Sequence, residues 1–545
     1  MVYALARHAC SSCAQLIDVM TMAMAATVWT VSVALSAAVL ASCLFNALVR
    51  LVWRPRAIAR RLARQGVRGP GYRFFVGNLG DIRRLRAAGA GLVLDVSSHD
   101  FIPISQPQFR EWIPLYGRVF LYWFGSTPNI CVADLGMAKQ LLSDRTGLFP
   151  KNRMNPIVRL VGKGLVMTDG DVWHRHKKVV HPAFNVDKLK VMTSTMVDCV
   201  LSMASRWEAQ LATQGKKDCQ EIGLTSQFEE LTADVISRTA FGSSYREGRK
   251  IFLALNEIQF IAFSTLWTDY IPGFRFVPTK KNMRLWKLNK MMRSTLVEII
   301  ENRLAAKDTD GYGSDLLGLM LEACAPEHGQ APLLSMDEMI DECKTFFFAG
   351  QETSLHMLNW TMFLLGTHPE WQQRLREEVL RECGRDHQVL TYDTLSRLRL
   401  VNLFLLETLR LYSPVPLIRR RTRSEVELGG VTVPRDALLT IPIATIHRDK
   451  EVWGEDADEF NPMRFDAGGG AARAASHVNA LLSFSMGPRT CIGQNFAMVQ
   501  AKAEVAVILR RFALSLSASY VHAPTDVITL RPKYGLPMII TRLDA

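Results

Sequence analysis

The sequence predicts one large, mainly α-helical domain with a minor β region, preceded by a single amino-terminal helix that crosses a membrane. The observations behind this prediction are long runs with helical apolar spacing, few and short strand-like runs, and an uncharged apolar segment near the amino terminus. The chain has 545 residues, 48% hydrophobic and 21% charged. A disordered protein is therefore excluded, and the chain is long enough to bury a large core.

The predicted membrane helix occupies residues 25–49, which leaves residues 1–24 as a short non-cytoplasmic segment. No charged side chain occurs from Val19 to Val49, and about 20 apolar residues are enough for a helix to cross a bilayer. A cleaved signal peptide is the alternative, but its apolar region is only about 7–15 residues long. The length of the apolar segment favours the anchor.

A basic segment follows the anchor, and it carries no acidic residue. Because positive charge is retained on the cytoplasmic side, we expect a single-pass protein whose remaining chain faces the cytoplasm, with these arginines against lipid headgroups. A solvated stretch without a membrane role is the alternative. The run Arg68-Gly-Pro-Gly-Tyr72 breaks any helix. Residues 50–72 are therefore predicted to be a linker and hinge, and residues 73–545 one large folded domain. The arginines are Arg50, Arg54, Arg56, Arg60, Arg61, Arg64 and Arg68.

Within that domain, residues 232–241 and 285–303 have helical spacing, whereas residues 119–124, 425–433 and 438–443 have the character of short strands. The ten cysteines are scattered along the chain, and the one close pair, Cys10 and Cys13, has no second pair at the spacing of a metal site. A zinc site is therefore not expected, and reduced thiols are. The net charge of +13 suits a membrane surface or an acidic protein, and we predict no nucleic-acid partner.

One cysteine near the carboxyl end lies in a glycine-containing loop, Phe484-Ser-Met-Gly-Pro-Arg-Thr-Cys491-Ile-Gly493. The helical pattern that follows places Cys491 at a helix amino terminus, where free N–H groups stabilise a thiolate, a metal ligand. Gly487 and Gly493 permit tight turns and close approach of a flat group, and Arg489 offers a donor fork to a carboxylate. Haem, with its iron and two propionates, needs this combination. A buried structural thiol is the alternative.

This loop, Phe-x-x-Gly-x-Arg-x-Cys-x-Gly, resembles the haem-thiolate loop of the cytochrome P450 family. The resemblance implies the cytochrome P450 fold, a haem b (iron protoporphyrin IX) cofactor and Cys491 as the iron ligand. Three further motifs occur in the family's order and extend the resemblance over essentially the whole chain.

The second motif lies in a long predicted helix, which opens with a capping-box pattern at residues 335–338 and ends before Pro369. The run Ala349-Gly-Gln-Glu352-Thr353 stands in its middle, and its glycine is expected to leave room above a flat group. Taken alone, Glu352 could lie on a solvated face, and Thr353 could bond to its own helix. The run resembles the oxygen-binding stretch of the family, which implies that the acid and the alcohol pass protons to iron-bound oxygen.

The third motif is Glu407-Thr-Leu-Arg410, within a helix that ends before Pro414. Residues three apart share a helix face, so an exposed ion pair is the simple interpretation. The resemblance implies instead the family's Glu-x-x-Arg pair, locked to a later arginine. Here that residue is Arg464 in Phe460-Asn-Pro-Met-Arg464, and its expected role is structural.

The fourth motif, Trp173-His-Arg-His-Lys177, resembles the family's Trp-x-x-x-Arg element, whose side chains reach a haem propionate. Lysine replaces the last arginine, which keeps the charge but loses the bidentate fork. A basic helix face is the alternative. By its offset from Arg410, Arg420 is the expected further propionate partner.

The chain also looks like one plant clan, on three runs of sequence: Asp234-Val-Ile-Ser-Arg-Thr-Ala-Phe-Gly-Ser-Ser-Tyr245, residues 347–354, and Pro278-Thr-Lys-Lys281. That clan includes secologanin synthase, cytokinin hydroxylases and in-chain fatty-acid hydroxylases. The resemblance implies a monooxygenase of the endoplasmic reticulum membrane that uses O2 and electrons from NADPH through NADPH-cytochrome P450 reductase.

A small hydrophobic substrate is expected, with a fatty acid favoured over a hormone or terpenoid. Candidate pocket residues are Phe347, Ala349, residues 415–418 and Leu536, each of which could equally be plain core. A haem-thiolate isomerase or dehydratase and a non-catalytic membrane haem protein are the rival functions. An intact Glu352–Thr353 pair argues against the isomerase.

Overall fold

Helices dominate the computed structural model, which describes residues 2–151, 158–213, 219–242, 245–265, 276–325, 332–384, 389–466 and 471–543. Those of the first part are α1 Val2–Leu48, α2 Arg54–Arg64, α3 Leu79–Gly89, α4 Ile102–Ser105, α5 Pro107–Tyr116, α6 Leu135–Leu142, α7 Gly170–Val180, α8 Val186–Thr213, α9 Leu224–Phe241, α10 Tyr245–Thr265, α11 Lys280–Ala305, α12 Lys307–Asp310 and α13 Leu316–Cys324. Those of the second part are α14 Met336–Thr367, α15 Pro369–Cys383, α16 Tyr392–Ser396, α17 Arg399–Leu411, α18 Ile443–Ile446, α19 Lys450–Trp453, α20 Ala471–Ala480 and α21 Gln494–Arg511.

The strands are short and form small sheets. In chain order they are β1 Val119–Phe124, β2 Thr127–Val132, β3 Cys219–Gly223, β4 Ile418–Arg421, β5 Val426–Leu428, β6 Val431–Val433, β7 Leu438–Ile441, β8 Phe512–Leu516, β9 Pro524–Asp526, β10 Leu530–Pro532 and β11 Pro537–Arg542. The largest sheet has the order β1-β2-β7-β4, with β2 and β7 parallel. A second sheet has the order β3-β11-β8, and β5–β6 and β9–β10 are two-stranded. The predicted mainly helical fold with a minor β region is confirmed.

The amino-terminal helix extends beyond the predicted span. It begins at Val2, and a π-helical segment, Val49–Trp53, joins α1 to α2. The run Met20–Arg64 contains a window of mean hydropathy 2.0 that is 0% buried, and within the described part of the chain no other helix is long and apolar enough to span a membrane. The segment boundaries at residues 24, 49 and 72 stay predictions.

Part of the predicted basic linker packs on the globular body. Helix α2 buries Pro55, Ile58 and Leu62, and the latter two join an apolar cluster with strands β1, β2 and β7. Its arginines lie on the opposite, exposed side, where Arg61 pairs with Glu425. This alternation follows from the amphipathic spacing of the helix.

Helix α14 crosses the main core. Its capping box forms as predicted, with Ser335 Oγ accepting from Glu338 N and Glu338 Oε2 accepting from Ser335 N. Most of its residues from Met339 to Leu365 are buried, mainly against α9 and also against α17 and α21. A helix of this length positions side chains deep inside the domain, far from either end.

Candidate haem site

The loop that precedes α21 holds Cys491 next to that helix. The backbone N of Cys491 donates to the carbonyl of Phe484 at 2.8 Å, which closes the loop. Phe484 itself is half-buried and packs on the main core. The thiol is free and exposed. Although the residue keeps accessible surface, the protein groups around its sulfur displace much of the nearby water, and this desolvation raises the pKa of Cys491. The Gly493 N–H and the Lys151 charge only partly offset the rise. Metal binding would displace the thiol proton.

The two glycines of the loop do different things. Gly487 has φ +68°, and a Cβ there would lie 2.5 Å from the carbonyl oxygen of Leu142 at the end of α6. Only glycine fits this left-handed, crowded position. The approach that Gly487 permits is thus to protein backbone and not to a flat ligand. Gly493 has an ordinary negative φ, with Phe184 3.9 Å from the position of an added Cβ. Its conformation does not require glycine.

Trp173 on α7 stands between two basic side chains of the candidate site. The Arg489 guanidinium lies 4.1 Å from the Trp173 ring centroid and the Lys177 Nζ 4.9 Å from it. Lys177 Nζ also donates to the carbonyl of Pro488 at 3.2 Å. The Cys491 loop and the Trp-x-x-x-Lys element therefore meet in the structure, although the contacting residues Lys177 and Pro488 are 311 positions apart in the chain.

The donor fork of Arg489 is partly engaged by protein. Its Nη2 donates to Asp169 Oδ1 at 2.7 Å and its Nη1 to the Thr168 carbonyl at 2.8 Å. Burial lowers the pKa of Arg489, and Asp169 opposes this. The prediction that this fork binds a cofactor carboxylate must therefore accommodate Asp169 as a first partner, which the sequence did not indicate.

Two more basic residues complete the cluster. Arg420 on β4 is 4% exposed, and burial together with the charge of Arg489 lowers its pKa to about 10. Lys151, which the sequence analysis missed, forms an isolated β-bridge with Arg420, and its N–H donates to Asp169. Burial and the charges of Arg420 and Arg489 lower the Lys151 pKa to about 7.

This basic cluster, Lys151, Lys177, Arg420 and Arg489, has one carboxylate partner in contact, Asp169, within the described part of the chain. Cations repelling one another in a partly buried site are stabilised by an added anion. A soft sulfur ligand beside such an excess of positive charge fits an iron porphyrin with two propionates. The residues present therefore fit haem.

Helix α14 is close to the Cys491 loop, and Phe184 bridges them. Its ring stacks on Phe346 of α14, with centroids 5.7 Å apart, and contacts Phe496 of α21 at 6.4 Å. Residues 348–350 and Thr353 are half-buried, although residues on either side along α14 are buried. These four positions in the middle of a core helix therefore keep some accessible surface.

The geometry of Gly350 does not support its predicted role, which was to leave room above a flat group. A Cβ on Gly350 would lie 2.6 Å from the Ile236 side chain on α9. The glycine therefore allows α9 and α14 to pack closely, and its missing side chain does not point at a flat group. Phe347, a candidate pocket residue, is also fully buried and stacks on Phe241 with centroids 4.0 Å apart. Leu536 is likewise 1% exposed.

The acid and the alcohol of α14 have different surroundings. Thr353 Oγ1 donates to the Ala349 carbonyl at 2.6 Å, a bond to its own helix. Glu352 is 5% exposed, which excludes the solvated face. Its Oε1 accepts from Thr529 Oγ1 at 2.7 Å and contacts His356 Nε2 at 3.3 Å. Burial alone would raise the Glu352 pKa, but these contacts and the Arg531 charge bring it below its usual value.

The Glu407–Arg410 pair is fully buried and not exposed. The Arg410 fork binds both Glu407 oxygens at 2.7 and 2.8 Å, and Arg464 Nε donates to Glu407 Oε1 at 3.1 Å. Arg410 also donates to the carbonyls of His447 and Ala457. None of these three ionic side chains is near solvent, so they hold the scaffold together.

A thiol loop, a basic cluster and an acid–alcohol pair on a central helix are the features expected of a haem-thiolate protein. The family model for cytochrome P450 matches residues 104–536. This chain belongs to the cytochrome P450 family, whose members are haem-iron monooxygenases.

Plant members of the family are similar over nearly the whole chain. The identity to cytochrome P450 709B1 of Arabidopsis thaliana is 43% over 506 residues, which cover 92% of this chain and 96% of that protein. It is 42% to cytochrome P450 734A6 of Oryza sativa subsp. japonica, over 90% of this chain and 92% of that protein. It is 42% to cytochrome P450 CYP72A616 of Paris polyphylla, over 90% and 95%. The predicted family and its plant affinity are confirmed.

Proposed function

We propose that this protein is a membrane-anchored monooxygenase that hydroxylates a C–H bond of a small hydrophobic substrate. The observation that carries the proposal is the free Cys491 thiol next to a basic cluster with one bound carboxylate. Haem bound there through a cysteine thiolate supplies the oxygen activation, since thiolate ligation favours O–O cleavage. The protein's contribution is ligation, positioning and control of protons.

Each predicted site residue has a proposed role in holding the cofactor. Cys491 is the iron ligand, with Phe484, Gly487 and Gly493 shaping its loop. Arg489 and the buried Arg420 would bind the propionates as cations. Trp173 supports Arg489 by cation–π contact. Lys177 contributes charge, and its Pro488 contact ties α7 to the loop.

Glu352 and Thr353 are the proposed proton-handling residues. The Thr353 hydroxyl now donates to Ala349, so its oxygen is free to accept a bond from water or substrate oxygen. The Glu352 carboxylate is the nearest acid in sequence and is ionised in its present contacts. As an ionised carboxylate it can accept a proton, which is the first step required of a general acid–base group.

The proposal extends beyond the reaction class to the substrate, the electron donor and the location. A fatty acid is favoured, and a hormone or terpenoid is possible from the same clan. We propose electron delivery from NADPH through NADPH-cytochrome P450 reductase. We also propose an endoplasmic reticulum location, with α1 as a single-pass anchor in the lipid and the domain in the cytoplasm. The exposed apolar α1 and the arginines after it support that orientation.

The spectrum of the reduced, CO-bound protein tests the ligand assignment. Cys491→Ser is expected to abolish the thiolate-type spectrum, whereas Cys219→Ser, at an exposed cysteine away from the loop, is expected to keep it. An unchanged spectrum in Cys491→Ser would refute the assignment. Thr353→Ala is expected to keep the spectrum and to release reduced oxygen as peroxide without product.

NADPH turnover with the reductase and candidate lipids separates the rival functions. A monooxygenase consumes NADPH and O2 with the right substrate. An isomerase or dehydratase converts its substrate without NADPH, and a non-catalytic haem protein converts nothing. Shifts of the Soret band across fatty acids, hormones and terpenoids identify the substrate class.

A further inference from the structure

One face of α14 carries a buried polar series of three residues, of which the proposed function uses only the first. Glu352, His356 and Asn359 are spaced four and three residues apart, so they lie on one side of the helix. They are 5%, 2% and 0% exposed. Burying three polar side chains in a row is costly unless each finds partners. The acid–alcohol motif includes only the first of them.

The partners form one continuous chain of hydrogen bonds. Thr225 Oγ1 on α9 donates to Asn359 Oδ1 at 3.0 Å. The Asn359 amide nitrogen lies 3.4 Å from His356 Nδ1, and His356 Nε2 lies 3.3 Å from Glu352 Oε1. From the other side, Thr529 Oγ1 donates to the same Glu352 oxygen at 2.7 Å.

The order of donors follows from the groups themselves. An amide N–H₂ can only donate, so His356 Nδ1 accepts and its proton is on Nε2. A neutral His356 therefore donates to Glu352, and the bonds from Thr225 onward all point towards this carboxylate. Hydrogen bonds aligned in this way polarise one another. Two donors then converge on one buried oxygen of an ionised acid.

Other charged groups face this acid from the neighbouring elements. On α9, Glu229 interacts unfavourably with the Glu352 charge, and its own carboxylate accepts from Asn256 at 2.6 Å. On the β10 side, the Arg531 charge favours the ionised acid. The remaining titratable contact is His356, on α14 itself. Burial and Glu229 thus disfavour the Glu352 charge, while His356, Thr529 and Arg531 favour it.

We propose that His356 is a positioning residue for proton handling, which together with Thr529 holds the Glu352 carboxylate ionised and fixed in direction. Asn359 and Thr225 set the His356 tautomer and tie the unit to the start of α9. This proposal rests on the proton role of Glu352 given under the proposed function. A purely structural polar series would leave the pH dependence of proton delivery unchanged when His356 is replaced, so the second test below separates the two interpretations.

The first test measures the protonation of Glu352 without turnover. Infrared spectra of the full-length haem-loaded protein in detergent are recorded against pH, and the carbonyl band of the protonated acid that Glu352→Gln removes is assigned to Glu352. In His356→Leu the pH midpoint of this band is expected to increase by about one unit or more, which corresponds to a tenfold gain in the proton affinity of Glu352. Thr529→Val, which changes nothing on α14, is expected to shift it in the same direction.

Two further variants make the result decisive. His356→Gln keeps a hydrogen-bond donor for Glu352, and the shift of the Glu352 band is expected to stay under about half a pH unit, a threefold change in proton affinity. Thr361→Val removes a buried α14 hydroxyl that bonds only to the Met357 carbonyl, and no shift is expected. The proposal is overturned if His356→Leu and Thr529→Val leave the Glu352 band in place, if Thr361→Val moves it as far, or if His356→Gln behaves as His356→Leu.

The second test follows the partition of electrons between product and peroxide against pH. In His356→Leu the pH at which product and peroxide receive equal shares of the electrons, the crossover, is expected to move by as much as the infrared midpoint does. In Thr361→Val the wild-type profile is expected. A crossover that stays in place contradicts the proposal. Loss of the thiolate-type spectrum in Cys491→Ser is independent of His356, so failure of this inference and failure of the proposed function give different results.

Discussion

Glu504 gives the most quantitative prediction. It lies on α21, a few turns beyond the cysteine loop, and is completely buried. Its Oε1 accepts from Gln500 Nε2 at 3.0 Å, and its Oε2 has no hydrogen-bond partner in the described residues. Burial raises the Glu504 pKa from 4.5 to about 8, against the opposing bond from Gln500. The folded protein therefore holds this carboxyl neutral at pH 7.

The sign and size of the effect on stability follow from linkage. Below pH 4.5 the acid is protonated in both the folded and unfolded chain, so it has no pH-dependent effect. As the pH rises, the unfolded chain loses the proton first, and folding must recover it. At 1.36 kcal/mol per unit of pKa difference, this lowers the free energy of unfolding by about 3 kcal/mol at pH 7 and by about 5 kcal/mol above pH 8.

Glu504→Gln keeps the shape and the Gln500 contact but cannot ionise. We expect it to match the wild type near pH 4.5 and to be more stable by about 3 kcal/mol at pH 7. Urea unfolding of the full-length haem-loaded protein in detergent, followed by tryptophan fluorescence, measures the difference at several pH values. Glu298→Gln, at an exposed position on α11, is the control and should show no pH-dependent gain. A Glu504→Gln difference that is the same at pH 5 and pH 8 would refute the reasoning.

Two other predictions concern the scaffold. Gly487→Ala should lower the free energy of unfolding by about 2–5 kcal/mol, because the left-handed backbone is strained by a side chain and the new Cβ clashes with Leu142. The control is Gly430→Ala, at a left-handed position with open space around it, which should lower the free energy of unfolding by only about 1–2 kcal/mol. Equal losses for the two variants in urea unfolding would argue against the clash. Glu407→Gln should lower the free energy of unfolding by about 3–5 kcal/mol, because two buried guanidinium groups lose the anion that they share. The control is Glu257→Gln, which breaks the exposed pair Arg284–Glu257 and should lower the free energy of unfolding by less than about 1 kcal/mol. Similar values for the two glutamates would show that the buried network is not the source of stability.

Local signals carried most of the sequence-based prediction. The capping box at Ser335, the apolar spacing of α14 and the strand run at β1 depend on neighbours a few residues apart, and all three form as expected. The cysteine loop was also readable, because the residues that shape it lie within ten positions. The family followed from four such local motifs in order.

Contacts between distant segments were not predictable in the same way. Thr529 meets Glu352 across 177 residues of sequence, and nothing in its local pattern distinguishes it from an ordinary loop threonine. Asp169 and Lys151 joined the basic cluster for the same reason. The glycine in α14 was assigned to a ligand because its actual neighbour, Ile236, lies on another helix. A glycine pattern shows that space is needed but does not show which group needs it.

The buried Glu407–Arg410 pair and the cysteine loop are mechanically linked through His447. Burial and the Arg410 charge lower the His447 pKa to about 3, so the ring is neutral at working pH. Its Nδ1 contacts the Arg410 carbonyl at 3.0 Å, and its Nε2 accepts from the Leu482 N–H at 2.9 Å. Since Leu482 lies two residues before Phe484, where the loop begins, the buried ion network helps to fix where the chain enters the loop. Motifs that extend from residue 407 to residue 491 thereby act together to hold the cysteine loop.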